Sequence, residues 1–245
     1  MDSKKLSKKE KQRLHRTAVG HHTEAAATFS NFQLNLAGLL IAVIAFVLYA
    51  NTLGHQYALD DYSMILENRI TQKGLEGIPE AVSNSYRYGY YMASDGLYRP
   101  VVRMMFSAEW EWGGGKPALG HWINVLIYAF TGFMLFKVVI RMTQGNLFIA
   151  FIAALLFACH PIHTEVVANI KSRDELLAFL FCIITIDRYL DWLDKPAISK
   201  AVLSGLLMFL AMGSKESAIT ILAILPIAGW CFRSESQFTQ LMKGL

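Results

Sequence analysis

The sequence predicts an all-α polytopic membrane protein, with about six transmembrane helices and a large first extracytoplasmic loop carrying amphipathic juxtamembrane helices. Three observations predict it. The 245 residues are 54% apolar and only 17% charged, with a mean hydropathy of +0.34, whereas a soluble domain carries roughly 25% charged residues. The apolar residues come in blocks: "LNLAGLLIAVIAFVLYA" (34–50) holds a lone Asn and no charge over 17 residues, close to the length that crosses a bilayer. Basic residues also gather in alternate connecting segments, as the positive-inside rule requires.

The first element is a basic arm, residues 1–31, with Lys4, Lys5, Lys8, Lys9, Lys11, Arg13 and Arg16. About 30 polar residues precede the first apolar block and no small-residue cleavage site follows it, so the block reads as an uncleaved membrane helix rather than a secretion signal. The arm is a cytoplasmic topology signal and a contact for anionic lipid. Its charge is accordingly no argument for nucleic-acid binding, and no nucleic-acid partner is expected.

The membrane domain is assigned to 32–232, with its first loop over 52–121. That loop is too polar to lie in lipid. "GIPEAVSNSYRYGYYM" offers a short helix with Pro79 in its first turn and Glu80 at its positive end. "VVRMMFSAEWEW" reads as a second helix whose Met, Phe and Trp lie on the membrane surface, with Trp110, Trp112 and Trp122 as an interfacial belt. Further apolar runs cover 122–140, 146–159, 176–193, 201–213 and 217–232. The run "AVLSGLLMFLAMG" is 13 residues, about 20 Å as a helix against a core of about 30 Å, so either helices extend through polar ends or some form a re-entrant hairpin. Residues 233–245 are a cytoplasmic tail or a truncation point. Cys159, Cys182 and Cys231 sit in or beside apolar runs, where buried packing is expected of them.

Parity then sorts the loops. With the arm inside, Lys137, Arg141, Arg188, Lys195 and Lys200 fall inside as well. "LDDY", "YRPVVR", "HPIHTE", "KSRDE" and "SKES" all fall outside, which points to one extracytoplasmic site.

Its candidates each carry a chemistry and an ordinary alternative. Asp60-Asp61 could supply a general base or hold a divalent ion, or be a solvated turn. Partial desolvation beside a membrane helix would raise one carboxyl toward useful basicity. In "HPIHTE" a helix is expected to start at Pro161 with Glu165 near its first turn. His160 and His163 would then lie about 60° apart and His163 and Glu165 about 200° apart. A compact His–Glu metal pair is therefore disfavoured; a histidine contact to phosphate or hydroxyl is easier to build. Arg99, Arg103, Lys171 and Arg173 suit a lipid-linked phosphate, or simply lipid headgroups. Lys215 and Glu216 lie between the two shortest apolar runs, either below the membrane surface or at a hairpin tip.

In order, "LDDYSMILEN", "YRPVV", "HWINVLIYAF", "FACHPIHTEVVANIKSRDELLA" and "LAMGSKESAITIL" resemble the N-terminal membrane region of the transmembrane-and-tetratricopeptide-repeat O-mannosyltransferase family. The resemblance covers roughly 30–230 and implies the N-terminal half of a GT-C glycosyltransferase. It implies transfer of a sugar, typically mannose, from a polyprenyl-phosphate carrier to a Ser or Thr hydroxyl of an acceptor protein, with inversion, at the periplasmic or luminal face of a bacterial inner membrane or endoplasmic reticulum. Asp61, or Asp60, corresponds to the base. Arg99, His160, His163, Lys171 and Arg173 are implied donor-phosphate ligands, with Tyr98, Glu165, Asp174, Lys215 and Glu216 supporting. No cofactor is expected, and a divalent metal is disfavoured. Family members continue into further membrane helices and repeats, so a missing C-terminal half or a partner subunit is expected. Two other classes compete: a non-catalytic membrane subunit that binds a lipid carrier or protein, and a transporter, which the absence of mid-helix ionisable residues disfavours.

Overall fold

The computed structural model describes residues 29–90 and 96–232. Most of the basic arm (1–28) and the tail (233–245) lie outside the described residues. Among those described there is no β-strand, and the helices are α1 (Asn31–Tyr49), α2 (Ile78–Ser83), α3 (Pro100–Gly113), α4 (Pro117–Met142), α5 (Leu147–Cys159), α6 (His163–Ala168), α7 (Arg173–Asp194), α8 (Ile198–Ser214) and α9 (Ile221–Phe232). Two helices are long and apolar enough to cross a membrane: α1 with its 3-10 continuation, Asn31–Gly54, and α4. The α5, α8 and α9 regions are apolar but shorter. The 22 residues of α7 open on Arg173, Asp174 and Glu175 and close on four more charges.

Local chemistry fixes the boundaries. Ser30 and Gln33 form a reciprocal capping box on α1, satisfying two donors that a helix start leaves free. Prolines open α2, α3 and α4 in their first turns, where a missing N–H costs nothing. Asn146 caps α5 by accepting from Ile149 N–H at 3.1 Å. Left-handed Gly114 ends α3.

The principal core joins α1, α4 and α5. Ala150, Ala154 and Ala158 repeat every four residues on α5 and are fully buried, a small-residue seam that lets helix backbones approach. Across it Tyr49 and Tyr128 meet edge-to-face at 4.9 Å. A second core carries the first loop, with Met64, Ile65, Tyr86, Val102 and Phe106 packed on Ile170 and Leu177. This corrects the reading of α3: Phe106 faces protein, not the membrane surface, while Trp112 is exposed. A small third core of Ala178, Ala211 and Ala218 holds α8 to α7. At the end of the bundle away from the first loop, Arg141 on α4 reaches three carboxylates of α7, Asp187 (3.0 Å), Asp191 (2.5 Å) and Asp194 (2.8 Å). Two other expectations need correction. The helix expected at Pro161 starts at His163, because residues 161–162 form a turn. Cys159 and Cys231 are exposed rather than buried, and all three cysteines are free.

The loop's hinge is Asn68, fully buried. Its side chain accepts from Ile70 N–H (3.1 Å) and Thr71 N–H (3.2 Å) and donates to the carbonyls of Ser63 (3.3 Å) and Tyr88 (3.4 Å). Gly89, at φ 111°, passes so close that a Cβ would sit 2.4 Å from Asn68 Oδ1. Gly89→Ala is expected to cost about 1–3 kcal/mol, from backbone strain and a disturbed buried acceptor. Thermal unfolding of the detergent-solubilised protein checks it; an unchanged midpoint would mean that Asn68 does not anchor the loop.

Candidate functional site

The loop segments converge at the end of the bundle where α3, α4 and α7 begin. Asp61 is the first anchor. It is 0% exposed, its Oδ1 accepting from Lys171 N–H at 2.7 Å and its Oδ2 from Ala58 N–H at 3.0 Å. Burial pushes its carboxyl above the usual aspartate range, against the pull of those amides and of Arg173. Its neighbour Asp60 is far more open, with its side chain 48% exposed. Asp60 Oδ2 lies 3.4 Å from Arg87 Nη2 and 3.8 Å from Lys171 Nζ.

Lys171 continues the network inward. Its Nζ is 3.5 Å from Asp174 Oδ2, an oxygen that also accepts from Tyr86 O–H at 3.1 Å and Arg99 Nη1 at 2.6 Å. Asp174 and Tyr86 are buried, and burial, with the Asp174 charge behind it, keeps the Tyr86 phenol neutral. Arg99 lies over the Tyr86 ring at 4.8 Å. Its remaining edge donates to Glu216, from Nε at 2.9 Å and from Nη2 at 2.5 Å. Beside Glu216, Lys215 pairs with Glu175. Segments from the first loop, α3, α7 and the α8–α9 connection thus form one charge network of alternating sign, in which each mostly buried cation has a carboxylate reaching toward water.

Not every expected residue joins it. Arg173 is 0% exposed and lies on the inner side, its guanidinium paired with Glu109, donating to Asn124 Oδ1 at 2.8 Å and to Gly120 O at 3.0 Å, over the Phe106 ring. All three guanidinium nitrogens are engaged within the protein, so Arg173 holds the bundle together instead of facing a ligand. Arg103 donates to the carbonyls of Ala81, Ser85 and Tyr88 and ties down the loop. His160 and His163 meet each other at 6.0 Å, and the His163 ring packs at a tilt against Phe157 at 4.4 Å and Tyr128 at 5.6 Å. Those contacts lead away from the network. Glu165 is exposed on α6, and Tyr98 O–H donates to Val82 O at 2.8 Å. Among the described residues no group of three or more His, Cys, Asp or Glu side chains is arranged to hold a metal ion.

Glu109, Asn124, Arg87 and Glu175 were not singled out from sequence. For Glu109 a signal existed. Val102, Phe106 and Glu109 fall on one helical face at i, i+4 and i+7, so the apolar stripe of α3 carries a carboxylate into the interior. Such a carboxylate requires a buried cation.

The same stretch of chain has known relatives. It is 30% identical over 202 residues to protein O-mannosyl-transferase TMTC2 of Homo sapiens, covering 77% of this chain and 23% of that protein. Against Tmtc2 of Drosophila melanogaster the identity is 31% over 196 residues (76% and 21%). Against TMTC3 of Mus musculus it is 29% over 199 residues (76% and 20%). The chain therefore spans less than a quarter of the length of these relatives. No family model and no solved structure matches it.

Proposed function

The chain is related by sequence to the TMTC family of protein O-mannosyl-transferases, and from that premise we propose that it forms the acceptor- and carrier-facing part of a GT-C membrane glycosyltransferase. It moves a sugar, mannose by analogy with those relatives' names, from a polyprenyl-phosphate carrier to a Ser or Thr hydroxyl. Six crossings, α1, α4, α5, α7, α8 and α9, put the charge network at the periplasmic or luminal surface and Arg141 at the cytoplasmic one. The separation of those two clusters to opposite helix ends supports this topology.

One observation carries the reading: a half-exposed carboxylate, Asp60, shares a network with cations, Lys171 and Arg87, at a membrane-helix end. In the reaction the acceptor oxygen attacks the anomeric carbon from the face opposite the phosphate. As the new C–O bond forms, the bond to the phosphate oxygen breaks and its electron pair stays on that oxygen. The acceptor proton passes to Asp60, the member of the acidic pair open to water. Lys171, Arg87 and the outer edge of Arg99 offset the charge developing on the phosphate. Asp61 holds the backbone of 170–171 and so sets where Lys171 stands; His160 and His163 are assigned no phosphate contact.

The test is mannose transfer from polyprenyl-phosphate mannose to a Ser/Thr peptide by membranes carrying the full chain, wild type and Asp60→Asn. Transfer above the empty-membrane background that Asp60→Asn removes is the expected result; transfer unaffected by that change would unseat the base. A second reading, a subunit that binds the carrier without transfer, draws on the exposed apolar side chains of α8 and α9, among them Leu206, Phe209, Leu222 and Trp230, which suit lipid or partner helices. Carrier binding without any transfer would favour it.

A further inference from the structure

Glu216 has a geometry that its neighbours do not share. The Arg99 side chain is only 7% exposed, yet that of Glu216, bound across its Nε–Nη2 edge, is 52% exposed. Two oxygens on that edge of a guanidinium are what a phosphate would present to it, as the sugar-bearing diester that arrives or the monoester that leaves. The inner partner of Arg99 is of another kind: Asp174 is fully buried and also takes the Tyr86 hydroxyl, so it stays. Glu216 opens the 3-10 turn Glu216–Thr220 between α8 and α9; as the first residue of that short turn, it can swing outward without breaking a long helix.

The charges make this more than a convenient shape. Among the described pairs, Arg99, Lys171 and Lys215 already stand against Asp60, Asp174, Glu175 and Glu216, and the Arg99 guanidinium has a carboxylate on both of its edges. An anion that binds there must replace one already present. Asp60, Glu175 and Glu216 are the half-exposed members, and of these Glu216 has the paired hydrogen bonds a phosphate would inherit.

Resting on the reading of this network as a carrier-phosphate site, we propose that Glu216 is a displaceable counter-ion occupying the phosphate's place on Arg99. The incoming phosphate takes the Nε–Nη2 edge, and the carboxylate turns out to water. When the phosphate leaves, Glu216 returns, so the Nε–Nη2 edge is never left without an acceptor and release is assisted. Glu216 then governs how tightly, and how reversibly, a phosphate-bearing lipid is held.

Binding of farnesyl phosphate, inorganic phosphate and farnesol to the detergent-purified full chain tests this, in wild type, Glu216→Gln and Glu216→Asp. With the competing charge gone, Glu216→Gln should bind both phosphates about fivefold more tightly, the worth of one half-exposed ion pair, and farnesol as wild type does. Glu216→Asp, which keeps the charge on a shorter arm, should fall between. A structural role alone would lower the melting temperature of Glu216→Gln and weaken binding. If wild type binds farnesyl phosphate and Glu216→Gln binds it no better, the displacement idea fails while the carrier site stands. If neither binds any phosphate, the carrier site itself is lost, and the displacement idea with it.

Discussion

Arg173→Met should destabilise the bundle by about 3–5 kcal/mol, the cost of removing one partner from a buried ion pair. Methionine matches much of the length and can still lie on Phe106, so lost packing is small. What it leaves behind is Glu109, mostly buried on the α3 side, together with Asn124 Oδ1 and the Gly120 carbonyl, each deprived of a donor. Burial already pushes the Glu109 carboxyl above its ordinary range, and Arg173 is what opposes that push. In the variant the opposition is gone, and the folded-state pKa of Glu109 rises further above the unfolded one. A carboxyl with that sign contributes stability at low pH and loses it as pH rises through the folded value. The deficit of Arg173→Met should thus be smaller in mild acid than at neutral pH, and Glu109→Gln added to it should recover a large part of the loss. Thermal unfolding in detergent at two pH values checks both points. A single variant as stable as wild type, with no effect of the second change, would show that the pair does not bind α3 to α7.

The second large effect separates the two adjacent aspartates. Asp60→Asn should lower sugar transfer by about 10²–10⁴-fold, the usual worth of a positioned general base, with an unchanged melting temperature because the side chain is half-exposed. Asp61→Asn should behave in the opposite way. An amide has one oxygen where the carboxylate had two, and its NH2 would face the N–H of Ala58 or Lys171, costing about 1–3 kcal/mol. Transfer should then fall only as the segment around Lys171 loosens. Measured together, kcat and melting temperature of the two variants divide the roles. Lost transfer at an unchanged melting temperature in Asp61→Asn, with transfer retained in Asp60→Asn, would assign the base to Asp61 instead.

The helices were legible because apolar blocks and their punctuation are local. The run read as 34–50 folds as Asn31–Tyr49, and 146–159 as Leu147–Cys159. The convergence of the charged segments was legible, but only to the level of segments. "LDDY", "YRPVVR", "KSRDE" and "SKES" do meet, because the ends of α1 and α8 and the starts of α3 and α7 lie at the same end of the bundle. Which side chain of a segment faces water was not legible, because that depends on turns rather than on a period. The pair follows Leu59, whose φ is a positive 51°, and of two adjacent aspartates one is buried and the other half-exposed. Arg173 looked like a phosphate ligand because its partners, Glu109 and Asn124, lie 64 and 49 positions away, beyond any local pattern. His160 and His163 were grouped on a helix that forms two residues later than Pro161.

The helices α4 and α7 are riveted to each other twice. Near their first residues the rivet is Arg173 on Asn124 and Gly120; near their last it is Arg141 on Asp187, Asp191 and Asp194. Two parallel rods fastened at both ends cannot slide or splay, and they move, if at all, as a single strut. The charged connection between α8 and α9 is fastened to that strut by surface-facing pairs, Lys215 to Glu175 on α7, and to α3 by Glu216 on Arg99. Opening is therefore expected in the α8–α9 connection, and hydrogen exchange should find it opening while the strut beside it stays closed.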